Sequence, residues 1–73
     1  MKPLFLIYMH DEGGCEEHWT HRDPDDVEQT LLDSDVADHL AERVRFWCQE
    51  TRPGTMTKVT CENGYPFFII RLM

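Results

Sequence analysis

Ser34 to Glu50 reads SDVADHLAERVRFWCQE, and this stretch decides the fold because it alone carries a sustained helical period. At 100° per residue from Val36, the side chains of Leu40, Val44, Trp47 and Cys48 fall within about 120° of one another, the width of a core-facing stripe. That face must be buried. Asp33 or Ser34 supplies an N-cap oxygen, and Asp35 and Asp38 lie near the positive end of the helix dipole. Thr51-Arg52-Pro53-Gly54 ends the helix, because Pro53 has no N–H and disfavours helical geometry at Arg52, while Gly54 is free to turn.

Upstream, Asp23-Pro24-Asp25-Asp26 is a helix-start signature: an N-cap acid, proline at the first helical position and two carboxylates in the first turn. A short helix to about Leu32 follows, with Val27, Leu31 and Leu32 facing inward. Asp33-Ser34-Asp35 breaks and recaps it. Further back, Leu4 to Met9 (LFLIYM) is apolar on both alternating faces. Such a run suits a central strand covered on both sides, or one whose second face lies in an interface. Asp11-Glu12-Gly13-Gly14 is a turn. Residues Cys15 to Arg22 either return as a polar strand or stay irregular.

Downstream, Thr55 to Glu62 alternates, and Tyr65 to Leu72 is a second strand. Asn63-Gly64 between them is the preferred pair for a two-residue type I′ turn. With that loop, Val59 faces Phe68, Thr57 faces Ile70 and Thr55 faces Leu72, which puts these residues, with Cys61 beside Pro66, on the core face. The other face then carries Met56, Lys58 and Thr60 opposite Arg71, Ile69 and Phe67, an unusually apolar set for solvent. Pro66 implies an edge at the start of its strand. The fold class expected is a small α+β domain: a three- or four-stranded sheet with one long amphipathic helix on one face and a C-terminal β-hairpin. Its first strand would pair in parallel with a hairpin strand through a right-handed crossover.

The 73 residues allow a single domain, 1–73, with a small core. Three irregularly spaced cysteines make no disulfide framework, nothing resembling a signal sequence precedes them, and the first apolar run is too short to cross a bilayer. The expected setting is the cytoplasm, with no membrane partner. Residues 1–42 hold two basic and twelve acidic side chains, whereas residues 43–73 hold five basic and two acidic ones. A chain so polarised repels phosphate backbones, which argues against direct nucleic-acid binding, and is steered toward basic protein surfaces.

His10, Cys15, His18 and His21 form the densest set of potential ligands, in the order H-x4-C-x2-H-x2-H. Zinc would accept one thiolate and three imidazoles, with the Gly13-Gly14 turn folding His10 back; a regular strand over Cys15 to His21 would instead split the set between two faces. No other cofactor is expected. The acid pairs lie in turns and at a helix start, Cys48 and Cys61 sit on apolar faces, and no phosphate loop or nucleophile elbow is present, so the chain does not read as an enzyme. On the long helix, His39, Arg43, Phe46 and Glu50 form a second stripe, with Phe46 about 140° from the centre of the apolar face. Exposed aromatic and arginine side chains are the composition of an interaction hot spot.

A short acidic chain with an opening strand, a long helix carrying Trp47 and a terminal hairpin resembles the small phage-encoded inhibitors of host RNA polymerase. The resemblance covers size and layout and includes no shared motif, so it transfers no residue-level contact. It implies a non-enzymatic regulator that binds the polymerase, obstructs or displaces the initiation factor, and alters termination. The expected division of labour is approach through Asp11, Glu12, Glu16, Glu17, Asp25 and Asp26, followed by contact through His39, Arg43, Phe46, Met56, Phe67, Ile69 and Arg71 on a monomer. Three alternatives stand beside it. One is an acidic DNA mimic that blocks a defence nuclease or a CRISPR complex. Another is a zinc-binding structural module, and the third is a homodimer that hides Met56, Phe67 and Ile69.

Overall fold

The computed structural model describes residues 2–73. Six elements follow one another: β1 (Phe5–His10), β2 (Glu16–His21), α1 (Pro24–Asp33), α2 (Asp38–Glu50), β3 (Met56–Thr60) and β4 (Pro66–Arg71). They form a small α+β fold in which one four-stranded antiparallel sheet, ordered β2-β1-β4-β3, carries both helices on the same face. The Cys15–Arg22 segment does return, as β2. The first strand therefore pairs antiparallel with both neighbours, Phe5 opposite His21 and Arg71, Ile7 opposite Trp19 and Ile69. The parallel pairing expected from the sequence is absent: β3 runs in the direction of β1, but β4 lies between them and pairs antiparallel with both.

The start of α1 is as its sequence dictates: Asp23 is extended, its Oδ1 accepts from Asp25 N–H at 2.9 Å, and Pro24 occupies the first helical position. Its end is not. Ser34 is the C-cap, Asp35 N–H donates to Leu32 C=O at 3.3 Å and Val36 N–H to Leu31 C=O at 3.0 Å, the two reversed bonds of a Schellman motif. Asp35 occupies the left-handed position with φ 64°, where glycine is usual, and the buried pair Val36 and Leu31 supplies the accompanying apolar contact. Asp33 and Ser34 thus close α1 and do not open the second helix. The long helix is shorter than expected, starting at Asp38 behind Ala37, which makes no side-chain cap.

The decisive difference lies in the C-terminal hairpin. Cys61 N–H donates to Tyr65 C=O at 2.9 Å and Gly64 N–H to Cys61 C=O at 2.9 Å, so the loop has three residues, Glu62-Asn63-Gly64, with Gly64 at φ 92°. A three-residue loop with glycine in the left-handed position is the common alternative to the two-residue turn. It moves β4 by one residue against β3, so that Val59 faces Phe67 and Thr57 faces Ile69. A one-residue slip exchanges the faces of a strand. Phe67 (2% exposed) and Ile69 (0%) consequently lie in the core with Phe5, Ile7, Val27, Leu31, Ala41, Val44 and Cys48, while Phe68 and Ile70 turn outward.

Because Asp35 holds a left-handed conformation that costs an L-residue about 1 kcal/mol, Asp35→Gly should raise the urea midpoint at unchanged m-value. Asp35→Ala should lower it by about 1 kcal/mol of stability. A rise with Ala equal to that with Gly would show that backbone conformation is not what limits this turn.

Candidate functional site

With both helices on one side, no second layer covers the other face of the sheet among the described residues. Antiparallel pairing lines its side chains up in rows across the strands. Thr20, Leu6, Ile70 and Met56 make one row; His18, Tyr8, Phe68 and Lys58 make the next. Leu6, Tyr8, Phe68 and Ile70 are half-buried by one another, and Met56, at the β3 edge, is 57% exposed. The Tyr8 and Phe68 rings sit 6.5 Å apart at a 37° tilt. Tyr8 OH donates to Glu16 Oε1 at 3.1 Å, and that bond, followed by desolvation and the carboxylate's charge, raises the phenol pKa. The result is a continuous apolar ridge over the two central strands with polar flanks.

Phe67 and Ile69, expected on this surface, are instead core residues, and their outward neighbours Phe68 and Ile70 take their place. Leu6 and Tyr8 also belong to it; their signal was the apolar character of both faces of LFLIYM, which asks for a cover that the fold does not supply. Arg71 leaves the set as well. Its Nη1 donates to the Thr51 carbonyl and its Nε to Met73 C=O at 2.9 Å. A cation at that place satisfies a carbonyl just past the end of α2 and complements the negative end of its dipole. Met56 remains exposed where it was expected.

The second stripe of the helix is exposed along its length. His39, Arg43 and Glu50 are open to solvent and Phe46 is 48% exposed. The Arg45 guanidinium carbon lies 4.7 Å from the Phe46 ring centroid. Arg45 itself reaches toward α1, with Nε 3.2 Å from Glu28 Oε1 and Nη1 4.0 Å from Asp25 Oδ1. The Nε approach is off-line, leaving that buried N–H without a hydrogen bond.

Charge is divided in space as it is along the chain. Asp11 and Glu12 lie in the β1–β2 turn, Glu16 and Glu17 on the edge strand β2, and Asp25 and Asp26 in the first turn of α1, which packs toward β2 through the 2.7 Å contact of His21 Nε2 with Thr30 Oγ1. Arg43 and Arg45 belong to α2, Arg52 to the following loop, and Lys58 to the opposite edge strand β3.

The four-ligand zinc constellation is not assembled. In the ladder His10 and His18 point to the open face, whereas His21 points to the helical side and is engaged by Thr30. Among the described residues, no group of three or more His, Cys, Asp or Glu side chains is arranged to hold a metal ion. The regular strand over 16–21 is the reason, since a spacing of three places His18 and His21 on opposite faces. Among the described residues, no helix is long and apolar enough to cross a membrane. No family model, curated protein or solved structure matches this chain.

The cysteines divide into one exposed thiol, Cys15, and two buried ones, Cys48 and Cys61. Burial pushes the Cys48 thiol from an ordinary 9.0 up to about 12, with the nearby Arg71 charge acting in the opposite direction. Below about pH 9 folded and unfolded chains both keep that proton. Above it the unfolded thiol ionises and the folded one does not, so stability falls as pH climbs from about 9 toward 12. Cys48→Ala should flatten this alkaline decline in urea unfolding measured at several pH values. At neutral pH a thiol reagent should modify Cys15 alone in the folded chain and all three cysteines after denaturation.

Proposed function

We propose that the chain is a non-enzymatic regulator that binds the RNA polymerase of a bacterial host and inhibits transcription initiation from within the host cytoplasm. The observation that carries this reading is the uncovered apolar ridge of Leu6, Tyr8, Phe68 and Ile70, extended to the sheet edge by Met56 and flanked by a strongly acidic edge strand. Contiguous exposed apolar surface rimmed by polar groups marks interaction sites. The acidic half supplies long-range attraction to a basic surface, and the ridge supplies the contact from which water is removed. The stripe of His39, Arg43 and Phe46 on α2 gives a second, smaller contact on the opposite side of the molecule. Polymerase is preferred among basic partners because of the resemblance in size and layout to phage-encoded inhibitors.

The test uses purified bacterial RNA polymerase holoenzyme and promoter-directed transcription. The chain should reduce the transcript, with binding that weakens as salt is raised. Met56→Glu, which alters an exposed position and should leave the circular dichroism spectrum unchanged, should weaken inhibition by about tenfold or more, as expected for a charge placed in a desolvated contact. Phe46→Ala should have a smaller effect. Absence of polymerase binding, or inhibition untouched by Met56→Glu, overturns the reading. Binding to a nuclease that duplex DNA competes away would replace it with the DNA-mimic alternative.

A further inference from the structure

On the helical side, the end of α1, the β3–β4 loop and the ends of β1 and β2 enclose a cleft of about 340 Å³, at the lower end of the range for ligand pockets. Its apolar wall includes Tyr65 and Trp19, and Trp19 stacks on Phe67 with ring centroids 6.2 Å apart and planes at 20°. Its rim carries three carboxylates from separate elements: Asp11 in the β1–β2 turn, Glu17 on β2 and Asp33 at the end of α1. Among the described residues no lysine or arginine lines it. Two of the three are placed by neutral donors, which leave their charge uncompensated: Asp11 Oδ1 accepts from Cys15 N–H at 2.9 Å and Asp33 Oδ1 from Gln29 Nε2 at 3.0 Å. The walls are tied together where Glu62 N–H donates to Asp35 C=O at 2.9 Å, joining the hairpin loop to the linker after α1.

We propose that this cleft binds the side chain of an arginine presented by a protein partner. An aromatic wall beneath uncompensated carboxylates is complementary to a cation with a flat apolar face. A guanidinium meets both requirements, stacking on an aromatic ring while its N–H groups reach carboxylate oxygens at the rim. Lysine meets only the second as a point charge. This deepens the preceding reading, on which it rests for the source of the arginine, and it places a specific recognition element within the acidic half.

The experiment separates the two. A blocked peptide with one central arginine is titrated into the isotopically labelled full chain while backbone amide and Trp indole resonances are followed, alongside the same peptide with citrulline or lysine. Expected are saturable shifts confined to Trp19, Tyr65 and the residues around Glu17 and Asp33, with the lysine peptide weaker by about threefold or more and the citrulline peptide showing no saturation. Glu17→Gln with Asp33→Asn, both at exposed positions, should weaken the arginine peptide by about three- to tenfold, with the remaining spectrum unchanged. Equal binding of citrulline, shifts spread over the acidic surface without saturation, or no shift at Trp19 overturns the proposal. Arginine binding in a chain that ignores polymerase would leave this site standing and remove only the polymerase. Polymerase binding unaffected by the double variant, with no arginine response, would do the reverse.

Discussion

The hydrogen bond from Cys61 N–H to the Tyr65 carbonyl closes a loop of three residues, and the sidedness of β4 follows from it. A loop one residue shorter would put Phe68 and Ile70 under the helices and Phe67 and Ile69 in water. Both alternatives bury one aromatic and one isoleucine, so hydrophobicity within β4 does not choose between them. The choice comes from the neighbours. Phe67 beneath Trp19 and Ile69 beside Ile7 complete a core in which the inward residues of all four strands meet one αα-hairpin. Gly64, free to adopt φ 92°, makes the longer loop sterically inexpensive.

That same dependence explains what could be read from the residues alone. The Pro24 start of the first helix and the central first strand have local causes and are present as read; the second helix is present in part, its buried face being Ala41, Val44 and Cys48 with Leu40 and Trp47 half-buried, and the hairpin is present in another register. The polar strand β2 has little apolar alternation, because the side chains it turns to the helical side are Glu17, Trp19 and His21, so its pairing is set by β1 more than by its own composition. The boundary between the helices was concealed by Asp35, an aspartate doing what glycine usually does. The ridge of the open face was legible as a surplus of apolar residues but not as a list of names, since a register error of one residue substitutes each β4 member for its neighbour.

Two short helices joined by a tight Schellman turn fill one side, and the Arg45 contacts with α1 and the Arg71 bond to the Thr51 carbonyl fasten them to each other and to β4. Among the described residues, none forms a layer over the opposite face. An antiparallel sheet tolerates one wet face when that face alternates to polar side chains. Here the two edge strands do so, with Glu16, His18 and Thr20 on one side and Lys58 and Thr60 on the other, whereas the two central strands remain apolar. The ridge is therefore centred on the middle of the sheet, where its side chains shield one another, and reaches the β3 edge at Met56, while its remaining margins are polar and oppose edge-to-edge aggregation.

The separation of charge has a structural cause as well as a functional use. Because the N-terminal hairpin and α1 occupy one half of the sheet and α2 with the C-terminal hairpin the other, an imbalance along the chain becomes an imbalance across the molecule. Mixing the halves, by placing β3 beside β2, would neutralise more of the acids internally and leave a weaker outward field. The observed order keeps Lys58 at the far edge from Glu16 and Glu17, so the repulsion among the acids is relieved mainly by solvent and by the Arg45 contacts with Glu28 and Asp25. The Asp25 contact, at 4.0 Å with its carboxylate exposed, contributes little to stability. A fold that leaves its charges this poorly compensated gains when a cationic surface approaches, and the gain is largest where the approach itself displaces water and carboxylates are already held in place, as Asp11 and Asp33 are beside Trp19.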